Sequence, residues 1–418
     1  MKPSRLALAT ITSSLLAAPA LAAAQVTPPP SSDDGTPPAE DQPVDGAPVE
    51  SPPPVDEPPP PPPAPAKHGA HVAYDGGFAL ASNDGAFELK AGIRTQLRFE
   101  AVRADADDTE WLGRFSLPRI RLQFEGHAYG EATTYKLEFE AANKGFSLLK
   151  DLFVDHKLND TVHVRIGQWK KPFNRAELVS DFGSAFLERS PENELGGAGR
   201  DQGLALHNDY EKSPEGIEWA LGVFNASSDK PTIKTTCTGD PPTCTTGLPT
   251  NVPTDFGPLL VAHVGWNSAH MKGYSEGDLE GGPLRYAVAA SYKLNPRDLA
   301  KDANNDLQLQ HAVALDAMIK VEGLDLSGAV AIVKDGQADA KLGFYAQAGY
   351  MLMPKKLLGS VRFAQVPEDD EHRQEILGGV NWFWQGHKLK WMIDGGVIRT
   401  TGVDTNDLQI RTQLQLVL

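Results

Sequence analysis

Arginines recur at alternating positions in several stretches of this sequence where polar and apolar residues take turns. A guanidinium offers several N–H donors in a planar fork that suits phosphate and carboxylate oxygens. Side chains two residues apart in a strand share a face, so neighbouring arginines of this kind would present their charges together. We therefore predict an anion-binding surface. Its candidate residues are Arg94, Arg98, Arg119, Arg121, Arg165 and Arg411.

No catalytic motif accompanies these arginines. The sequence has no GxSxG, HExxH or P-loop pattern, and its Ser, His and Asp residues show no informative spacing. We therefore predict no enzyme, no metal and no cofactor, and expect function to come from the shape and charge of a passage. The net charge of −16 argues against nucleic acid as a partner.

The C-terminal segment 407–418 indicates how the arginines are positioned. Its even-numbered residues are apolar except Thr412, and its odd-numbered residues from Gln409 to Gln415 are polar. A strand displays alternate side chains on opposite faces, so one face here suits lipid and the other suits water. This pattern predicts a strand of a transmembrane β-barrel.

From Phe87 onward the chain divides into sixteen alternating segments separated by turn residues. Because bacterial single-chain barrels have even strand numbers, we predict an all-β fold, a sixteen-stranded antiparallel transmembrane β-barrel. Connections after even-numbered segments are mostly short and those after odd-numbered segments mostly long, with 268–283 as a long exception. The segments are 87–103, 113–128, 131–141, 147–157, 161–168, 201–210, 217–226, 259–267, 284–293, 307–321, 324–333, 342–352, 358–366, 373–385, 387–398 and 407–418.

A soluble secreted β-sandwich that binds glycans would alternate in the same way, with its apolar face turned inward. The opposing face of the segments keeps bearing Arg, Lys and Glu, and the apolar face stays aliphatic and aromatic to the end of the chain. Both features favour the membrane barrel.

The start of the chain predicts export. Residues 1–24 have the charged, apolar and small-residue order of a secretory signal peptide. Residues 25–70 are predicted to be a disordered periplasmic linker, because 25–66 is Pro-rich and has eight acidic residues but no Lys or Arg. Either this linker has no partner, or it is an arm that contacts the cell wall. The barrel domain is expected over 71–418.

Two cysteines lie in a loop rich in Pro, Thr and Gly. Cys237 and Cys244 can close a small disulfide ring in an oxidising, exported compartment. No His lies in that loop, so a metal site there is not expected.

Three stretches carry a family resemblance. Residues 165–190 read RIGQWKKPFNRAELVSDFGSAFLERS: Gly-Gln-aromatic, then Lys-x-Pro-Phe, then a close on Leu-Glu-Arg-Ser. RDQGLAL follows at 200–206, and GGVNWFWQGHKLKWMIDGG at 378–396. These motifs resemble the phosphate-selective porin O and P family, in order, over roughly 87–418.

The resemblance implies an outer-membrane porin of a Gram-negative bacterium, usually a homotrimer, with one water-filled channel per protomer. An infolded constriction loop narrows such a channel, and here that loop would be 169–200. Phosphate-selective members line the channel with arginines, which matches the six named above. The basic residues that could set the charge of the constriction are Lys170, Lys171, Arg175 and Arg189.

Several functions stay open at this point. The first is passive diffusion of small anions, possibly including phosphate, through a barrel embedded in outer-membrane lipid. A weakly selective general porin is the second, because acids among the arginines would pair with them and hold the wall rigid. The third is a structural outer-membrane anchor whose arm, 25–66, contacts the cell wall.

Overall fold

The structure is a computed structural model. It describes residues 69–74, 78–105, 110–142, 149–197, 199–227, 233, 235–247, 250–253, 257–296, 309–402 and 405–418. The predicted signal peptide and all but the last residues of the predicted linker lie outside these ranges. No helix among the described residues is long and apolar enough to cross a bilayer.

The described residues contain twenty strands, one turn of α-helix and two 3-10 turns, Pro191–Glu194 and Tyr210–Lys212. The helical turn, α1, spans Arg175–Leu178. The strands are β1 Ala70–Tyr74, β2 Phe78–Ser82, β3 Phe87–Arg103, β4 Leu112–Ala128, β5 Thr133–Glu140, β6 Leu149–Asn159, β7 Val162–Lys170, β8 Arg200–His207, β9 Gly216–Phe224, β10 Thr235–Thr238, β11 Thr243–Thr246, β12 Leu259–Asn267, β13 Arg285–Asn295, β14 Gln310–Val321, β15 Leu324–Asp335, β16 Lys341–Met353, β17 Leu357–Glu368, β18 Glu371–Gln385, β19 Leu389–Thr400 and β20 Thr405–Val417.

Sixteen of these strands close into a barrel, as the sequence predicts. Each of β3–β9 and β12–β20 pairs antiparallel with the next, and β9 pairs with β12 across the intervening loop. The barrel closes between its last and first strands, where Leu414 lies opposite Leu97 and Val417 opposite Arg94. Observed strand ends differ from the predicted ones by a few residues, which is the usual precision for boundaries.

Exposure along the strands is the reverse of that in a soluble protein. On β20, Ile410 is 54% and Leu414 41% exposed, whereas Gln413 is 1% and Gln415 0% exposed. Apolar side chains therefore point outward and polar side chains inward. Because hydrocarbon solvates the first set and the enclosed space holds the second, this is the transmembrane arrangement, and the β-sandwich alternative is wrong.

Two hairpins lie outside the sixteen-stranded ring. β1 and β2 pair with each other, and β2 pairs with β3 from Glu88 to Ala91, just beyond the point where β20 stops at Arg94. This hairpin prolongs the wall next to the C-terminus, so the barrel ring itself begins at Phe87. β10 and β11 form a small exposed hairpin within the connection between β9 and β12.

The two ends of the barrel differ in their connections. We call the end that carries the C-terminus and the short turns at 129–132, 160–161 and 386–388 the turn end, and the opposite end the loop end. Two connections fold inward. Loop A, residues 171–199, enters from the loop end between β7 and β8, and loop B, residues 268–284, enters from the turn end between β12 and β13.

Candidate functional site

Loop A crosses the interior and bonds to strands on several sides of the wall. Lys390 on β19 donates to the carbonyl of Ser184 (2.6 Å), and Asn381 on β18 donates to that of Ala185 (2.7 Å). The backbone N–H of Leu187 donates to the carboxylate of Asp394 on β19 (3.0 Å). Loop A is therefore the infolded constriction loop that the sequence predicts.

Arg175 anchors the first turn of loop A to the far wall. Its Nε lies 2.6 Å from Asp316 Oδ1 on β14, and its Nη2 lies 3.1 Å from Glu218 Oε1 on β9. Its guanidinium also lies over the ring of Tyr274, 4.8 Å from the centroid, and the side chain is 1% exposed. Arg175 is thus a buried structural cation between two acids.

Acids of loop A are held by arginines of β3 and β4 and, for Asp181, also by Arg189 of the loop itself. Burial alone would raise the pKa of Asp181, but the charges of Arg119, Arg189 and Arg121 outweigh it and hold that pKa well below its usual value. Burial opposes ionisation of Glu188 as well, yet Arg119 and Arg98 lower its pKa to about 2. Both carboxylates are therefore charged at neutral pH.

The pKa of Glu192 is shifted in the opposite direction. Its side chain is fully buried and accepts one hydrogen bond, from Asn174 Nδ2 at 3.0 Å. Burial raises its pKa to about 7, because a single neutral donor does not offset the loss of water. Loop A therefore contains one carboxyl group that titrates near neutral pH.

A polar cavity of about 1020 Å³ occupies the turn end of the barrel beside β3–β8. It is lined by nine acidic side chains and nine Lys or Arg side chains. Lys170, Leu178 and Ser180 line its boundary with loop A. We call the inner surfaces of β3–β8 the open half of the lumen, and the inner surfaces of β12–β17, which loops A and B cover, the packed half.

The structure brings four of the six candidate arginines together on β3 and β4. Arg98 bonds Glu188 (2.7 Å) and Gln413, and Arg119 bonds Glu188 and lies 3.3 Å from Asp181. Arg121 contacts Glu140 (3.0 Å) and Asp181 (2.8 Å). These three guanidiniums are buried and paired, so they join loop A to the wall.

Arg94 differs from its neighbours. Its side chain is 25% exposed and lines the cavity, and its ion-pair partner among the described residues is Glu138, 3.7 Å away. Glu138 is 1% exposed and lies 3.5–3.8 Å from four cations. Those cations are Arg94, Arg121, Lys136 and Arg200.

The other two candidate arginines lie apart from that group. Arg165 contacts Asp155 (2.7 Å) and Glu211 (2.9 Å), and its guanidinium carbon lies 4.3 Å from the centroid of the Phe153 ring. Arg411 pairs with Asp394 on the adjacent strand at 2.7 Å. Each is held by a carboxylate of its own surroundings.

The basic residues of the predicted constriction have different positions. Lys170 lines the open cavity and donates to the carbonyls of Glu177 (2.5 Å) and Val179 (3.1 Å). Lys171 is buried, and its Nζ lies 3.4 Å from the Arg200 carbonyl. Arg189 bonds back to loop A itself, through the Ala176 carbonyl and Asp181 Oδ1. Of these, Lys170 borders open space.

Cys237 and Cys244 face each other across the β10–β11 hairpin, with their sulfurs 1.99 Å apart. The described part of the chain contains no group of three His, Cys, Asp or Glu side chains arranged to hold a metal ion.

Comparison of the sequence with family models identifies this arrangement. The model named "Phosphate-selective porin O and P" matches residues 89–416, which is the barrel from the third residue of β3 to the last but one of β20. The chain belongs to this porin family. It is accordingly an outer-membrane porin channel of a bacterium.

Solved structures show the same fold at low identity. The porin shares 11% identity with the anion-selective porin from Comamonas acidovorans, with a TM-score of 0.51 over 78% of this chain and 99% of that one. It shares 12% identity with the outer membrane channel DcaP of Acinetobacter baumannii, with a TM-score of 0.51 over 81% and 99%. A search of curated proteins gave no match.

Some lumenal residues escaped the sequence analysis. Lys136 and Glu138 lie in the open half, on a segment whose alternation already places them on one face with Glu140. Asp316 and Glu218, which hold Arg175, were missed too. The sequence feature that could have identified them is an acid that stands alone among small inward-facing residues, such as Ala312 and Ala314 on β14. An acid buried among such residues needs a cation nearby.

Proposed function

We propose that this porin conducts small anions by passive diffusion, phosphate-like oxyanions included. The supporting observation is the state of Arg94, which projects into the open cavity while Arg98, Arg119 and Arg121 are fixed to acids. A guanidinium with a distant carboxylate can offer donors to a passing oxyanion. Lys90 and Lys136, which also line the cavity, extend this basic surface.

The expected anion preference is weak. The open cavity has equal numbers of acidic and of Lys or Arg side chains, so its summed charge gives little discrimination at long range. A weakly selective general porin is therefore the second candidate. The two differ in whether removal of Arg94 changes selectivity.

Planar bilayers separate these candidates. The reversal potential of wild type in a KCl gradient reports the ratio of anion to cation permeability, and Arg94→Ala should move it toward cations. The matched control is Arg114→Ala, which removes the same charge from a side chain that is 78% exposed. An unchanged reversal potential in Arg94→Ala would favour the general porin.

Phosphate needs a measurement of its own. With chloride as the conducting anion, added inorganic phosphate should reduce the current if phosphate enters and occupies the same passage. A chloride current that is insensitive to phosphate would remove phosphate from the proposal while leaving anion diffusion intact.

We also propose a homotrimer in the outer membrane of a Gram-negative bacterium. The family supports this, and so does a hollow of about 690 Å³ on the outer face of β14–β18. Gly328, Ala346 and Gly378 line that hollow, and small residues let neighbouring membrane proteins approach closely. The mass of the complex in detergent, measured by light scattering, tests the assembly.

A further inference from the structure

Loop B enters the barrel from the turn end and meets loop A inside the lumen. The backbone N–H of Glu276 donates to the carbonyl of Gly183 at 2.9 Å. The backbone N–H of Ala185 donates to Glu276 Oε2 at 2.7 Å. One residue of loop B therefore bonds loop A twice, through its backbone and its carboxylate.

The wall fixes Glu276 on both sides of this contact. Gln347 on β16 donates to Glu276 Oε2 (3.1 Å), and His387 in the β18–β19 turn donates to the Glu276 carbonyl (3.0 Å). The carboxylate is thus shared between loop A and the wall, and the residue is 8% exposed.

Loop B has a second contact with loop A, since Arg175 Nη1 donates to the Gly273 carbonyl at 2.9 Å, and further bonds hold it directly to the wall. Lys320 on β14 donates to the carbonyls of Lys272 (3.0 Å) and Ser275 (2.5 Å). Asp278 accepts from Arg285 (2.6 Å) and from the backbone N–H of Gly323 (2.9 Å). These bonds hold loop B against the wall, so it can serve as a fixed support for loop A.

Apolar contact accompanies the polar contact. Phe186 and Ala185 of loop A pack with Leu358, Leu377 and other wall residues in one cluster, and Leu279 of loop B packs against the same cluster. The two loops therefore share a small core inside the lumen, with Glu276 as a polar link beside it.

We propose that Glu276 is a positioning residue for conduction: it holds loop A across the packed half and thereby limits the cross-section that remains for solutes. This inference rests on the proposed function, since it assumes that the porin conducts. Loss of the carboxylate leaves the Ala185 N–H and the Gln347 amide without their acceptor, and a buried donor without a partner favours rearrangement toward water.

Single-channel recordings test this role. Glu276→Ala should raise the conductance and the noise of the open channel, because loop A gains freedom. Glu276→Gln should give a smaller rise, because its amide oxygen can still accept from Ala185. The matched control is Glu280→Gln, an exposed acid of the same loop that pairs with Lys272, and it should resemble wild type. Wild-type conductance and noise in a correctly folded Glu276→Ala would overturn the proposal.

A cross-link supplies a test that does not depend on removing a buried group. A Cβ atom placed on Gly183 would lie 3.9 Å from the Cα of Ser275, so the two loops are close enough at this point for a Gly183→Cys and Ser275→Cys cross-link to be tried. Introduced into Glu276→Ala with Cys237 and Cys244 replaced by Ser, the oxidised pair should restore low noise and conductance. Reduction of the disulfide should return the noise and conductance to those of Glu276→Ala. Equal recordings in both redox states, with the disulfide verified by mass spectrometry, would contradict the proposal.

These outcomes are distinguishable from failure of the proposed function. Anion preference is read from the reversal potential, whereas the positioning role is read from conductance and noise. A porin without anion preference would still show the Glu276→Ala effect if loop B supports loop A.

Discussion

The open and packed halves of the lumen are built from different residues on the same kind of strand. Inward positions of β3–β5 carry charged side chains such as Arg94, Lys136 and Glu138, whereas four of the ten buried inward positions of β14–β15 are alanines, including Ala312 and Ala331. Long charged groups keep space hydrated, and small ones leave room that loop A fills. This difference shows that the types of inward-facing residue on each part of the wall determine whether the adjacent interior is open or filled by a loop.

The approach of loop A to β14 shows how close this fit is. A Cβ placed on Gly196 would lie 3.4 Å from the Cβ of Ala312 and 3.2 Å from a methyl of Val333. Gly196 also has a φ of +91°, a conformation that side chains rarely adopt. A glycine of the loop and an alanine of the wall thus meet at this point, where a larger side chain on either would collide with its neighbours.

The largest expected effect follows from Arg175→Ala in the packed half. This substitution leaves Asp316 and Glu218 as buried acids without their cation, which costs about 3–5 kcal/mol. We expect a lower urea midpoint for unfolding in detergent and faster proteolysis of loop A. The control Arg114→Ala removes an exposed arginine and should cost about 0–1 kcal/mol. Equal stability of the two variants would contradict the claim that a buried, paired arginine contributes more to stability than an exposed one.

The next effect depends on pH and concerns Glu192. Its pKa in the packed loop is raised from 4.5 to about 7, so the protonated form stabilises packing fully below pH 4.5 and that contribution is lost as pH rises through about 7. A shift of this size corresponds to about 3 kcal/mol. Loop A should therefore resist protease better at pH 5 than at pH 8.

Glu192→Gln should remove that pH dependence and protect loop A at pH 8, because the amide never ionises. Glu194→Gln is the matched control, since Glu194 lies two residues away and is exposed. If Glu192→Gln retains the wild-type difference between pH 5 and pH 8, another group controls the packing.

Overfilling the packed half should have an intermediate effect. Ala312→Phe places a ring where Gly196 and Phe173 already approach the wall, and such overpacking costs about 1–3 kcal/mol. We expect loop A to be displaced, which higher single-channel conductance would report. Val313→Phe places the same ring at the adjacent, outward-facing position and should leave conductance unchanged. A single-channel conductance equal to that of wild type in Ala312→Phe would show that the position of loop A does not depend on this contact.

The smallest stability effect is expected in the open half. Lys136 is 23% exposed and lies 3.1 Å from Asp151, so Lys136→Ala should cost about 1 kcal/mol or less. Its reversal potential should nevertheless move toward cations, because a basic side chain leaves the cavity. Lys320→Ala, in the packed half, should destabilise more, since two backbone carbonyls lose their donor. The reverse order in thermal unfolding would contradict the distinction between the halves.

The sequence by itself determined the barrel. Alternation with a period of two can be recognised in a single strand without knowing which strands it pairs with, because the apolar residues of that strand mark the face that contacts lipid. Segments such as 407–418 therefore predicted where the strands lie, how many there are, and that Arg411 points inward. The family motifs around 165–190 added the infolded loop.

The tertiary structure alone decided which charges are available. Arg94 and Arg98 are equivalent in the alternating pattern, yet Glu188 of loop A lies against Arg98 and leaves Arg94 facing the cavity. The contact between Gly183 and Glu276 likewise joins segments that are distant along the chain and enter from opposite ends. Ion pairs act over a few ångströms, so their partners depend on where loops fold, and local periodicity contains no information about that.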